Sequence, residues 1–228
     1  MISQLPSHVG LVFGLTTALT IWLFYQATNK SNVTLVVLLV WLVLQTGLGL
    51  AGFYQKKDSV PPRFLVLVVL PLLQLIGLLL AHRGIRFIDS LCPDWLTLLH
   101  VVRMPVEVVL FWLFTSGTVP QLMTFEGRNF DILSGLSAPI VYYFGFIRGQ
   151  LPRSILVPWN LICLGLLLNI VLFAILSAPS PIQRMAFDQP NVAISYFPFV
   201  WLPSVIVSIV LVAHVSALRQ LMFSPAIA

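Results

Sequence analysis

Residues 34–54 read TLVVLLVWLVLQTGLGLAGFY, a run of 21 positions without one charged side chain. A helix rises 1.5 Å per residue, so about 20 apolar residues cross roughly 30 Å of hydrocarbon. Gln45 and Thr46 are the only clearly polar positions inside it. In water a surface this apolar would aggregate, and in lipid it is the ordinary form of a spanning helix. The run ends at Gln55-Lys56-Lys57-Asp58 and then Pro61-Pro62-Arg63, a polar, proline-bearing loop.

Outward from this stretch the same alternation repeats. The pattern predicts spans over His8 to Ala27, Thr34 to Tyr54, Phe64 to His82, Trp95 to Gly117, Ile132 to Ile147, Ser154 to Leu176, and Val192 to Arg219. Seven spans occupy most of the 228 residues, so residues 1–228 are expected to form a single all-α transmembrane domain, a polytopic helical bundle. Composition agrees: 59% of residues are hydrophobic, 8% are charged, and the mean hydropathy is +1.00. A water-soluble domain carries about 25% charged residues. The first apolar stretch is too long for a signal peptide, lacks a basic flank and precedes no small-residue cleavage site, so it is expected to remain as the first span.

The formal charge of +5 is scattered, with no basic stripe, which argues against nucleic-acid binding and leaves the lipid bilayer as the expected partner. On a seven-span reading, Lys56, Lys57, Arg63, Arg128 and Arg184 share the N-terminal side, and Lys30, Arg83, Arg86, Arg148, Arg153 and Arg219 the other. That balance leans towards the N-terminus outside and the C-terminus cytoplasmic. Cys92 falls in a loop and Cys163 inside a span, which does not suggest a disulfide.

The chemistry concentrates in the fourth span. Successive helical residues rotate by 100°, so His100, Arg103 and Glu107 project within a sector of about 60°. Ionisable residues inside a span are costly and mark functional candidates, and Arg103 and Glu107, four apart, are placed to pair within their own helix. Asn160, Tyr142 and His214 fall in the same half of the bundle as His100, with His82 at its edge. Two facing imidazoles could hold haem and three a metal ion, so His100 and His214 are candidate ligands, although no HxxxH or HExxH spacing supports them. On the opposite side, Glu126 and Arg128 sit between aromatics in a loop, as candidates for a lid or a partner site. Asp131 and Asn191 read more simply as N-caps of the spans that follow them. Pro71, Pro105, Pro139, Pro158, Pro198 and Pro203 are expected to kink helices, most of all at Phe197-Pro198 to Leu202-Pro203.

Three seven-span families are set aside by residues. Retinal proteins need a lysine in the last helix, and here Lys30, Lys56 and Lys57 all lie in loops. Zinc hydrolases of the progestin-receptor and ceramidase kind pair histidines in the last helix, where His214 stands alone. PQ-loop sugar transporters repeat a Pro-Gln pair that occurs once, at Pro120-Gln121. By contrast MTFEGRNFD (123–131), SAPSP (177–181) and FDQPN (187–191) resemble segments of a group of bacterial seven-span integral membrane proteins. The resemblance spans most of the chain and implies a bacterial inner (cytoplasmic) membrane, with no mechanism attached.

Three functions follow as expectations. The first is translocation of a small molecule or ion through a polar cavity lined by span four. The second is a haem or metal protein using His100 and His214. The third is a receptor-like or partner-binding subunit working through Glu126 and Arg128. A nucleophilic enzyme is disfavoured, because no Ser or Cys sits in a nucleophile motif.

Overall fold

The computed structural model describes residues 5–56 and 59–223; Lys57 and Asp58 of the second loop lie outside them. The chain is all-helical, 75% helix, with no strand among the described residues. Six helices are long and apolar enough to cross a membrane: α1 (Ser7–Ala27), α2 (Asn32–Leu50), α3 (Arg63–Leu80), α5 (Pro93–Thr115), α7 (Arg153–Ser177) and α8 (Leu202–Phe223). They are compatible with an integral membrane location. Between them lie α4 (His82–Asp89), eight residues long, and the shorter apolar helix α6 (Ile132–Ile147).

Burial identifies the centre of the bundle. In its apolar window α5 is 61% buried and α8 50%, whereas α2 is 11% and α3 17%. α5 packs against α1, α6 and α8, with Leu96, Leu99 and Val102 fully shielded. α2 and α3 turn most of their valines and leucines outward, as lipid-facing helices do.

The two ends of the bundle are tied separately. At one end the Cys92 amide donates to the Ala27 carbonyl (2.9 Å), Arg219 forks onto Asp89 (2.8 and 3.1 Å), and Gln220 donates to the Ile88 and Leu91 carbonyls. At the other the Val192 amide donates to Thr118 O (3.0 Å) and the Asn191 amide to Ser177 O (2.9 Å).

Two expected spans change shape. The last one starts at Leu202 and not at Val192; residues 192–201 form a short 3-10 turn (Ala193–Ser195) and irregular chain. Pro198 and Pro203 supply no N–H, so a regular helix through this stretch would lack donors. α8 begins with a π turn at Leu202–Ile206, whose loosened carbonyls are met by side chains. Trp41 Nε1 donates to Ser204 O (2.9 Å), and Ser208 Oγ donates to Pro203 O (2.9 Å). The second span ends at Leu50 and not at Tyr54, where Gly52 takes a left-handed φ of 71° and breaks the helix.

α6 comprises eleven α-helical residues and a five-residue π turn, about 24 Å in all. It does not begin at the end of the bundle. Gly135 lies against Met104: a Cβ there would meet the Met104 amide nitrogen at 2.9 Å. Met104 stands near the middle of α5, so the head of α6, three residues earlier than Gly135, lies near the level of Glu107. The loop from Thr118 therefore dips into the bundle before α6 starts. Backbone without regular structure at such depth is tolerated only inside protein, and Thr124, Asn129 and Asp131 are buried here. Gly135→Val is expected to prise α6 from α5 and to lower stability by about 1–3 kcal/mol, as overpacking does. Thermal unfolding in detergent measures this, and a midpoint unchanged from the parent would refute the close approach.

Candidate functional site

The dipping loop carries its polar residues to the middle of α5. Arg103 is ten residues from Pro93 and twelve from Thr115, about 15 and 18 Å along the helix. Its Nε lies 2.8 Å from Asp131 Oδ2, with both side chains almost wholly shielded. Nη2 donates to the Cys163 carbonyl on α7 (3.0 Å), and Nη1 lies 3.4 Å from His214 Nε2 on α8. One guanidinium thus joins α5, the head of α6, α7 and α8. Leaving such a charge unpaired in this setting would cost several kcal/mol, which explains its number of partners.

The contacts fix the state of His214. A guanidinium only donates, so His214 Nε2 must be the acceptor. The ring is then neutral with its proton on Nδ1, which donates to Asn160 Oδ1 (3.1 Å). Asn160 Nδ2 donates in turn to Leu156 O (3.0 Å), so the amide's orientation and the tautomer agree. His100 stacks on His214 with ring centroids 4.0 Å apart and planes 18° from parallel, and meets the edge of Trp159 at 5.7 Å. Neither His100 nitrogen has a hydrogen-bond partner among the described residues, at 1% exposure.

Glu107 points elsewhere. Its Oε1 accepts from Asn129 Nδ2, which also donates to the Met123 carbonyl (3.0 Å), while Asn129 Oδ1 accepts the Asp131 amide (3.1 Å). Oε2 of Glu107 and Oδ1 of Asp131 are buried without a partner among the described residues. The pairing of Arg103 with Glu107 along their own helix is therefore not formed: Arg103 turns to Asp131 and Glu107 to Asn129. The loop supplies a carboxylate and an amide where the helix alone would leave only its own pair.

Arg103, Glu107 and Asp131 share the wall of a cavity of about 70 Å³ between α5, α7, α8 and Val68 of α3. The rest of that wall is aliphatic, with Leu110, Leu167, Ile170 and Val210. Charged side chains at one end and an apolar remainder are the usual features of a small-ligand site.

Of the residues expected at a site, His100, Arg103, Glu107, Asn160 and His214 meet in this cluster. Tyr142 is half-buried and belongs to no described hydrogen bond. Glu126 and Arg128 are exposed on the loop, where Phe125 stacks on Phe111 (5.1 Å) and the Arg128 carbonyl accepts from Asn169. His82 is exposed on α4, whereas His100 and His214 are buried and stack on each other. Asp131 and Asn191 correct their reading as caps. Asp131 makes no capping bond and gives its carboxylate to Arg103; Asn191 donates to Ala174 O (3.2 Å) in the loop before α8. Asn129 and Asp131 are the site residues that the sequence reading missed. The available signal was an acidic and an amide residue heading an apolar helix too short to cross alone.

The histidine pair does not fit a haem or metal centre. Ligand lone pairs lie in the ring plane, and stacked rings direct them side by side and not towards a shared ion. Both His214 nitrogens are engaged, one of them by a guanidinium that repels cations. No group of three or more His, Cys, Asp or Glu among the described residues could hold a metal ion.

No protein-family model, curated protein or solved structure matches the chain.

Proposed function

We propose that the chain is a seven-span integral membrane protein that binds a small solute in the α5–α7–α8 cavity and carries it across the bilayer. One observation carries this reading: three ionisable side chains, Arg103, Glu107 and Asp131, face a cavity halfway along the bundle's central helix. A purely structural ion pair needs no cavity beside it, and carboxylate oxygens without partners inside a span are costly unless something visits them. The π turn at the head of α8 and the 3-10 turn at His100–Val102 in α5 border the same cluster, and such breaks often accompany function.

The test is uptake of labelled solute into liposomes reconstituted with the protein, across a panel of small anionic, neutral and cationic solutes. At least one solute is expected to give a protein-dependent signal that Glu107→Gln lowers tenfold or more. A panel without any protein-dependent signal would sink translocation.

In the seven-span topology α6 makes the fifth crossing together with the loop that dips in before it. The end ties support this parity: Thr118 closes α5 at one end, and Ser177 closes α7 at that same end. The chain between them must then traverse once before α7 returns. The N-terminus lies outside and the C-terminus in the cytoplasm. α4 supports this orientation, because its exposed His82, Arg83 and Arg86 lie at the C-terminal side, where basic residues meet anionic lipid. The bacterial inner-membrane setting rests on the resemblance of residues 123–131, 177–181 and 187–191. Cysteines placed at Arg83 and Arg184 are expected to be labelled by an impermeant maleimide from opposite sides of intact cells, Arg184 from outside. Labelling of both from one side rejects the topology.

A further inference from the structure

The charges of the buried cluster do not cancel. Arg103 contributes one positive charge, and Asp131 and Glu107 one negative charge each when ionised. His214 on α8 is neutral because it accepts from Arg103. His100, stacked on His214 beside the guanidinium, has no carboxylate partner to favour its cation. Cys163 on α7 gives only its carbonyl to Arg103. Arg103 spends its contacts on Asp131, His214 and Cys163, and none reaches Glu107. One carboxylate is left over in a wall that is otherwise aliphatic. Its Oε2 and the neighbouring Asp131 Oδ1 have no partner among the described residues, although Glu107 is only 1% exposed.

A cavity of about 70 Å³ defines the size of what could supply the missing charge. A single buried water needs roughly 10–15 Å³ of such space, so the cavity matches about five waters. An ammonium head with three or four carbons occupies similar room. We propose that the cavity binds a small aliphatic ammonium ion, whose N–H groups donate to Glu107 Oε2 and Asp131 Oδ1 while its hydrocarbon lies against Leu110, Ile170 and Val210. This deepens the solute-binding reading and rests on it. Without the cation, a proton neutralises Glu107. Arrival of the ammonium ion breaks the Glu107 O–H bond, forms a carboxylate–ammonium contact and releases that proton to solvent. Charge in the site is unchanged by the exchange, so the hydrocarbon never holds an extra ion.

The experiment is calorimetric titration of n-butylammonium into the full chain in lipid nanodiscs, with empty nanodiscs as the blank and two buffers of different ionisation enthalpy. Saturable binding is expected with release of about one proton per cation. Butan-1-ol and butyrate, which share the tail but not the charge, should bind at least tenfold more weakly, as should sodium. Glu107→Gln should weaken butylammonium at least tenfold and abolish proton release. Val171→Phe, which fills the cavity from a less buried position, should block binding with the helical circular dichroism unchanged, and it keeps the test intact if Glu107→Gln fails to fold. Equal binding of butan-1-ol or sodium, binding indifferent to both variants, or none above the blank overturns the proposal. Nanodiscs enclose no compartment, so binding here without solute uptake by liposomes would reject translocation and leave the ammonium site standing.

Discussion

Asp131→Ala is expected to destabilise the protein by about 3–5 kcal/mol, the range for removing one partner of a buried ion pair. The variant leaves the Arg103 guanidinium, only 2% exposed at the centre of the bundle, without its carboxylate. The loss should exceed that of an ordinary apolar truncation in α5, because it arises mainly from an uncompensated charge and not from a lost contact. Arg103→Met should be similarly damaging, with Asp131 as the orphan. The double replacement Arg103→Met with Asp131→Leu removes both charges and is expected to recover most of the stability, since apolar pairs of similar volume often equal or exceed buried ion pairs. Unfolding by a denaturing detergent, read by helical circular dichroism, measures all three. Additive losses in the double variant would show that Arg103 and Asp131 do not depend on each other.

Asn160→Leu is the second large effect, expected to lower stability by about 1–3 kcal/mol. Arg103 holds the His214 proton on Nδ1, so removal of the Asn160 oxygen leaves that N–H buried without an acceptor. The energetic asymmetry of hydrogen bonds makes this worse than losing both partners together. Nitrogen-15 spectra of ring-labelled histidine offer a direct reading. The parent should show His214 as the neutral Nδ1–H form across the physiological pH range, since protonation of Nε2 would set a second donor against Arg103. A His214 signal that titrates near pH 6.5 would refute the acceptor role.

Functional and stability effects should separate at Glu107. Like Asp131 it has a bare oxygen and lines the cavity, but its hydrogen-bond partner is an amide that also has an alternative acceptor. Glu107→Gln keeps the shape and removes the surplus charge, so its stability is expected to stay within about 1 kcal/mol of the parent, in the range of one neutral hydrogen bond. Asp131 and Glu107 are both carboxylates in one cavity, yet only the first balances Arg103.

Much of this arrangement is written locally. That His100, Arg103 and Glu107 share a face follows from the 100° step of the helix, and all three are buried in the cluster. The convergence of His100 with His214 and Asn160 agreed with depth counted along the spans. Depth says nothing about partners. The pairing of Arg103 with Asp131 joins residues 28 positions apart, and it depends on a loop that enters the bundle. Asn and Asp before an apolar helix ordinarily cap it, so the local reading of Asp131 followed the commoner case. His82 was placed only at the edge of the half that holds His100 and His214, and it is exposed on α4.

Hydropathy is a sum over about 20 neighbouring residues, so the sequence by itself located the apolar stretches; seven were expected to span, and six form helices long and apolar enough to cross a membrane. It also determined that ionisable groups stand inside α5, because no choice of boundaries places Arg103 outside that run. Which carboxylate neutralises Arg103, which tautomer His214 adopts and which oxygen of Glu107 is left bare were decided by the tertiary structure alone. These depend on distances of about 3 Å between helices remote in the chain, and electrostatic and hydrogen-bond energies in a low-dielectric interior vary steeply over such distances.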